Sequence, residues 1–416
     1  MKILVFSDHF YPEPSAPAAH IYERAKLWSR DGQKVTVICS APNFPEGKVY
    51  PGYTNAWRKV ESLDGVRVVR VKTFMTSNEG TVLRVLDYLS YMLSAWFFSL
   101  FEEKPDVILS SSPHLFVPLA GVAAAVCKRV PHVFEIRDLW PASIAATTAM
   151  GQGRIFALLE RLELWLYRRS TRILALTPSF REDLMKRGIE GDRIDVVING
   201  ANLELFKPAA EKDADILSRY GLSNKFVIGY LGTLGLAHGL ENVVAVAERM
   251  RHTNACFFFV GVGAAKRQLE QRVRESSLDN VVFAPRQLKE DMPRFWSVCD
   301  ASLVHLKNEA VFGTVIPSKI FESMAMALPI LYVSPKGDGS RIVEREEAGL
   351  IVEPMQPDAL MNAIECLMND KEMYDRLRRN SAAAAAKYSR EKQAQESLKV
   401  LVNAVKEARR PRAPSR

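Results

Sequence analysis

Short continuous apolar runs recur along the first half of the chain, at residues 3–7, 35–39, 66–71, 107–110, 132–136, 172–176 and 195–198, with helix-length stretches between them. Runs without polar alternation suit strands buried on both faces, so the pattern predicts a parallel sheet covered by helices. After Asn199-Gly200 and a turn through Phe206-Lys207-Pro208 the pattern restarts, at 226–231, 256–260, 281–284, 301–306, 330–333 and 349–352. Two Rossmann-like, doubly wound α/β domains are expected, spanning 1–205 and 206–389. Residues 390–416 form a last helix, long enough to return to the first domain, and a basic tail.

Residues 82–101 form an unusual segment. A helix of that length spans about 30 Å, and from Tyr88 through Phe101 it carries no charge. Arg84 and Asp87 interrupt it, and the uncharged part falls short of the ~20 residues that a membrane span requires. Two readings stay open: a buried core helix, or a helix in the headgroup region with Trp96, Phe97, Phe98 and Phe101 inserted and Arg84 and Lys104 at its ends. Residues 154–172 add Trp165 and Tyr167 among Arg161, Arg168, Arg169 and Arg172, the pattern of an amphipathic surface helix.

At 416 residues, 48% apolar and 25% charged, the chain has the composition of a globular protein of two domains. Its five cysteines form no Cys-x-x-Cys pair, and Met1 leads directly into a strand-like run, so a reducing cytoplasm is expected. The net charge of +8 comes with no nucleic-acid motif; attraction to an anionic membrane surface or to diphosphates is the expectation instead. The basic cluster at 409–416 reads as a solvated end. No metal site is expected, since the Asp213-Ala-Asp215 pair lies in a solvated stretch after Pro208.

Residues 301–330 hold the most chemistry. An apolar strand leads through a loop containing Gly313 and Thr314 to Pro317-Ser-Lys-Ile-Phe-Glu322-Ser-Met-Ala-Met-Ala-Leu-Pro329. Pro317 suits a first helical turn and Pro329 ends the helix. The helix start favours an anion, aided by Ser318 and Lys319. Glu322 is an acid in an apolar helix. It either pairs with Lys319 three residues away or accepts the hydroxyls of a ribose. Phosphate and diol together describe a nucleotide. Three glycine-bearing or turn segments sit beyond strand ends: Gly232-Thr233-Leu-Gly235 with His238, Gly261-Val-Gly263, and Pro285-Arg286-Gln287. In the first domain the loop from His9 to Ala18 is rich in proline and alanine. Arg137-Asp138-Leu-Trp-Pro141 and His114 also follow strands, and His114 is expected to face a cleft.

The segment ending at Pro329 resembles the donor motif of GT-B fold glycosyltransferases, in particular the retaining family 4. The likeness extends over the chain through the first loop, Arg137 to Pro141 and Asn199-Gly200. It implies two domains facing a cleft, with a nucleotide-sugar donor on the second. Gly232, Thr233, His238, Gly261, Gly263, Arg286, Gln287, Gly313, Ser318, Lys319 and Glu322 would hold that donor, UDP being the common case. Glu322 occupies the motif's second acid, whereas Thr314 stands at the first. Thr233 and His238 replace the usual Arg and Lys of the diphosphate clamp, with Lys319 and Arg286 as substitutes and the His238 imidazole as a weaker one. Arg137, Asp138, Thr314 and Lys319 would stand at the reacting sugar. Pro12, Ser15, Ala16 and His114 would lie on the acceptor side. In the family, retention is attributed to same-face attack assisted by the leaving phosphate, with no cofactor or metal. Members with Arg-Asp-Leu-Trp-Pro build bacterial surface polysaccharides. The aromatic helix and the basic patches suggest a polyprenyl-diphosphate-linked acceptor at the inner face of the cytoplasmic membrane, and Thr314 and Arg137, by analogy with that branch, point to an amino or deoxy sugar as donor. Alternatives are a non-catalytic scaffold or a nucleotide-sugar 2-epimerase.

Overall fold

The computed structural model describes residues 1–76, 81–112, 114–139 and 153–409. Two compact units emerge, Met1–Ile198 with the chain from Glu391 onward, and Asn199–Arg390. The division falls at Ile198 and not near 205. Residues just after it belong with the second unit because Ala201 N–H bonds to the Tyr388 carbonyl (2.9 Å) and Arg390 N–H to that of Ala201 (2.8 Å).

In the first unit eight strands form one sheet in the order β3-β4-β2-β1-β5-β6-β7-β8. They are β1 (Lys2–Phe6), β2 (Lys34–Ser40), β3 (Arg58–Leu63), β4 (Val66–Val71), β5 (Val107–Ser111), β6 (His132–Ile136), β7 (Arg172–Ala175) and β8 (Ile194–Val196). All pairings are parallel except β3 with β4, a hairpin at the edge. One core layer packs Ile3, Val5, Trp28 and Leu109 with Ala394, Leu401 and Ala404 of the helix Arg390–Arg409. The Trp28 indole N–H bonds to the Ala394 carbonyl at 2.8 Å, so the last helix completes the first unit's core.

The other layer contains the helix Thr81–Ser99, whose residues Tyr91 and Ala95 are fully buried against Leu4, Phe6 and Ile38. Trp96 and Phe98 pack partly on that core, while Leu83, Leu86, Leu93, Phe97 and the following Phe101 remain exposed, the last at 66%. The helix is therefore neither wholly core nor wholly interfacial. Of the aromatics expected to share one exposed face, only Phe97 and Phe101 do so, because at 3.6 residues per turn Trp96 and Phe98 turn toward the sheet. Among the described residues no helix is long and apolar enough to cross a membrane.

The second unit has an all-parallel sheet in the order β11-β10-β9-β12-β13-β14. Its strands are β9 (Phe226–Leu231), β10 (Ala255–Val260), β11 (Val281–Ala284), β12 (Ala301–His305), β13 (Ile330–Val333) and β14 (Gly349–Val352). Ile228, Phe257, Phe259, Leu303 and Leu331 are buried in its core. The order reverses between β9 and β12, which puts the loops after both strands at the place where such sheets bind ligands.

Candidate functional site

At that switch point the loop after β9 lies directly on the loop after β10. Gly232 N–H bonds to the Val260 carbonyl (2.8 Å), Leu234 N–H to that of Val262 (2.9 Å) and Ala265 N–H to that of Leu234 (2.9 Å). Gly261 (φ +149°) has no room for a side chain, since a Cβ there would stand 1.9 Å from the Gly232 carbonyl oxygen. Gly232 (φ +133°) faces Lys319, whose Cε and Nζ would be 3.0 and 3.1 Å from its Cβ. Gly263 is likewise pressed on the backbone of Leu234. The glycines thus serve close approach of backbone to backbone, and of backbone to the Lys319 ammonium.

Lys319 opens the helix Lys319–Ala325. Its Nζ donates to the Tyr230 hydroxyl (3.4 Å) and lies 4.6 Å from the centre of that ring; the Tyr230 hydroxyl in turn donates to the Thr233 carbonyl at 2.8 Å. Burial pushes the ammonium down to about 8, with the Glu322 charge working in the other direction, so it is largely protonated at neutral pH. Glu322 is half-buried one turn along. The helix starts two residues later than expected. Ser318 takes the cap position without a side-chain bond, and Pro317 lies just outside, its carbonyl accepting from Ile320 N–H at 3.2 Å.

The remaining donor-side residues separate into two groups. His238 packs on Gly235 and sits edge-on to Tyr230, ring centres 5.8 Å apart. Its carbonyl accepts from His305 Nδ1 at 2.6 Å. Burial and then the Lys319 charge bring its imidazole down to about 4. It is therefore neutral near pH 7, and a substitute cation it is not. Arg286 is exposed and Gln287 half-buried on the turn after the edge strand β11, where Gln287 Nε2 donates to the Pro285 carbonyl (2.8 Å). Thr233 is exposed. The Thr314 hydroxyl is turned back to the Val311 carbonyl at 2.8 Å. Gly313 is pressed against Gly337, a contact not foreseen from the residues alone: a Cβ on Gly337 would stand 1.8 Å from the Gly313 carbonyl oxygen. Asp213 caps the helix Ala214–Arg219 and its carboxylate pairs with Arg294 at 2.7 Å.

In the first unit Arg137 follows β6. Its backbone N–H donates to Ser112 Oγ (2.9 Å) and its guanidinium to Nδ1 of buried His20 (2.7 Å). Two residues earlier, in β6, Glu135 receives two bonds from Arg24, at 2.5 and 2.7 Å, with the two side chains 0% and 2% exposed. Asp138 is exposed, and Trp140 and Pro141 of the same motif lie outside the described residues. Ser15 caps the helix Ala16–Arg30, its hydroxyl accepting from Ala18 N–H at 3.3 Å; Pro12 is half-buried and Ala16 exposed. His114, expected at an open face, is instead buried, bonded to Asp8 at 3.2 Å and stacked on Tyr88 with ring centres 3.9 Å apart. His20, Arg24, Glu135 and Tyr230 were not singled out from the sequence as site residues. Only the proximity of Glu135 to Arg137 could have pointed to any of them.

With this geometry in view, residues 15–200 match the family described as glycosyl transferase 4-like domain, and residues 215–384 match glycosyl transferases group 1. WcaI of Escherichia coli (strain K12), named for colanic acid biosynthesis and glycosyl transfer, is 26% identical over 333 residues, 78% of this chain and 81% of its own. The alpha-D-kanosaminyltransferase of Streptomyces kanamyceticus is 27% identical over 229 residues, 53% of this chain and 58% of its own. Among solved structures, Anabaena HepE in complex with UDP and glucose aligns with a TM-score of 0.72 at 17% identity, covering 97% of this chain and 100% of that one. WaaG, a glycosyltransferase involved in lipopolysaccharide biosynthesis, aligns at 0.69 and 13%, covering 96% and 99%. Likeness at these identities establishes the fold, two parallel-sheet α/β domains of the GT-B kind.

Proposed function

The chain belongs to the glycosyltransferases, carrying a glycosyl transferase 4-like domain followed by a group 1 domain, and on that premise we propose that it moves a hexosyl or N-acetylhexosaminyl group from a UDP-sugar to a lipid-linked acceptor in bacterial surface-polysaccharide synthesis, with retention at the anomeric carbon. The observation that carries the reading is the Lys319 ammonium set against Gly232 and Tyr230 beside the glycine-packed loops. A diphosphate laid there meets one positive charge and backbone that no side chain holds off. Glu322, one turn on, accepts the ribose hydroxyls. The acceptor hydroxyl attacks the anomeric carbon on the face from which the diphosphate leaves. The bonding pair departs with the phosphate oxygen, which takes the acceptor's proton, so no protein nucleophile is needed. Within the first domain Arg137, held by Ser112 and His20, and Asp138 are assigned to the transferred sugar, and within the second domain Thr314 is. Charge compensation comes from the protein and not from a metal. Similarity to WcaI and the kanosaminyltransferase favours an acidic-polysaccharide pathway and an amino sugar, respectively.

A transfer assay with a panel of UDP-sugars and short-chain polyprenyl-diphosphate-linked monosaccharides tests this. Product with the donor's anomeric configuration, formed equally well in EDTA, is expected. Inverted product, or activity abolished by EDTA, contradicts the mechanism.

The exposed face of the helix Thr81–Ser99 supplies the membrane contact in this reading. Replacing Leu93, Phe97 and Phe101 by serine, all exposed and so harmless to the core, is expected to weaken binding to phosphatidylglycerol vesicles at least about tenfold, because each apolar side chain inserted is worth ~1.5 kcal/mol or more. UDP affinity should not change. Retention of full vesicle binding rejects this face as the docking surface.

A further inference from the structure

The first domain holds a second set of ionisable side chains that donor chemistry does not use. Strands β2, β1 and β5 are neighbours, and the chain beyond their C-terminal ends contributes Asp8, His9 and Glu13, the turn at Asn43-Phe44, and His114. Glu13 is buried. Its Oε1 accepts from the backbone N–H groups of Asn43 (2.8 Å) and Phe44 (3.0 Å), and its Oε2 holds His9 Nδ1 at 2.7 Å. The Phe44 ring packs edge-on to the imidazole with ring centres 5.3 Å apart. A carboxylate with no freedom of its own therefore fixes the direction of a histidine whose side chain is 19% exposed. Close by, His114 is 2% exposed and bonded through Nε2 to Asp8, yet among the described residues its Nδ1 has no hydrogen-bond partner. Such a buried orphan is uncommon in a purely structural cluster.

We infer that His9, oriented by Glu13, positions the acceptor by donating its Nε2–H to an oxygen of a neutral sugar. This rests on the glycosyl-transfer reading above and deepens it by naming the acceptor's chemical class at this place. The charges around His9 decide between sugar and phosphate. Asp8, Glu13 and Asp87 offset the positive charge of His9 and Arg84, so no excess of positive charge is left to draw a diphosphate or a uronate, whereas hydroxyls find both donors and acceptors. Burial alone would lower the His9 imidazole, but its bond to Glu13 and the charges of Asp8, Glu13 and Asp87 raise it to about 9. Burial, Asp8 and Glu13 push Asp87 up to about 7 against His9 and Arg84, and burial keeps His114 below its ordinary value although Asp8 opposes it. His9 is then a cation at neutral pH. Its contribution is present below about 9 and is lost as pH rises through that value.

Transfer to the polyprenyl-diphosphate-linked monosaccharide panel, with neutral, N-acetylated and uronic members, tests the inference. His9→Gln is expected to lower kcat/KM for the acceptor on the order of 10- to 100-fold, as for a lost charged hydrogen bond, and to leave UDP affinity unchanged. In the wild type kcat/KM falls as pH passes about 9, and Glu13→Gln moves that fall toward the ordinary imidazole value near ~6.5, a displacement that a merely structural Glu13 would not cause. Wild-type kcat/KM in His9→Gln, a profile flat through pH 9, or preference for the uronic acceptor overturns the inference. Absence of UDP binding by the wild type rejects the transfer reading itself. Should His9→Gln not fold, the wild-type and Glu13→Gln profiles decide. Should no panel member be turned over, ring NMR of the seven histidines during titration with methyl glucoside, methyl N-acetylglucosaminide and methyl glucuronide decides instead. A shift of His9 with the neutral glycosides supports the inference, and none with any glycoside overturns it.

Discussion

Replacing Glu322 by alanine is expected to weaken UDP binding by about two to four orders of magnitude. The estimate follows from the chemistry assigned to this carboxylate: hydrogen bonds to a charged acceptor contribute about 1.5–3 kcal/mol each, and a ribose offers two hydroxyls. Glu322 is half-buried on a short helix whose neighbours Ile320, Phe321, Ser323 and Met324 are all buried, so truncation removes the carboxylate without emptying a core position. Its charge also favours the protonated form of Lys319; the variant is therefore expected to lose part of the cation proposed to hold the diphosphate as well as the proposed diol contact. Calorimetric titration with UDP measures both. Wild-type affinity in Glu322→Ala would remove this residue from the donor site.

The second large effect is expected in the first domain. Arg24→Ala leaves the Glu135 carboxylate fully buried without its guanidinium, and breaking one side of such a pair costs about 3–5 kcal/mol. For a domain of this size that corresponds to a lowering of its thermal transition by roughly 6–20 °C. The pH dependence should change sign with the substitution. In the wild type burial alone would raise the Glu135 carboxyl, but Arg24 holds it down to about 2. This depressed value gives stability that is complete above the ordinary carboxyl range and is lost as pH falls toward 2. Without Arg24, burial prevails and the carboxyl binds its proton more readily in the folded state, so the variant gains stability on acidification. Adding Glu135→Gln to the alanine variant removes the uncompensated charge and should restore part of the loss. A transition within about 1 °C of wild type would show that the pair carries no weight. Because Glu135 lies two residues before Arg137, the same lesion is expected to disturb the guanidinium proposed to bind the transferred sugar.

The two sheets were legible because parallel strands buried on both faces leave uninterrupted apolar runs, and every one of the runs in the second domain became a strand of β9–β14. The strand Arg58–Leu63 was missed for the converse reason. It lies at an edge, pairs antiparallel with β4 and alternates exposed with half-buried residues, so its Lys, Glu and Ser positions read as loop. At the candidate site, the glycines and Lys319 could be picked out because close backbone approach and positive charge restrict the residue type. What could not be read was which loop meets which. The Gly313–Gly337 contact joins loops on either side of β13, and the Tyr230 partner of Lys319 looked like one more apolar strand residue. Histidine protonation was equally hidden, since burial and the Lys319 charge, and not the sequence around His238, keep that ring neutral.

The central claim is that the second domain binds a uridine diphosphate sugar through protein groups alone. The most direct measurement is a thermal-shift titration of the full chain with UDP, GDP, ADP and NAD, each with and without EDTA. Ligand at a hundredfold excess over Kd adds ~2.7 kcal/mol to the stability of the form that binds it. A shift selective for UDP and indifferent to EDTA is the expected result. No shift with any nucleotide would contradict the account and favour a scaffold that has kept the fold without the donor site.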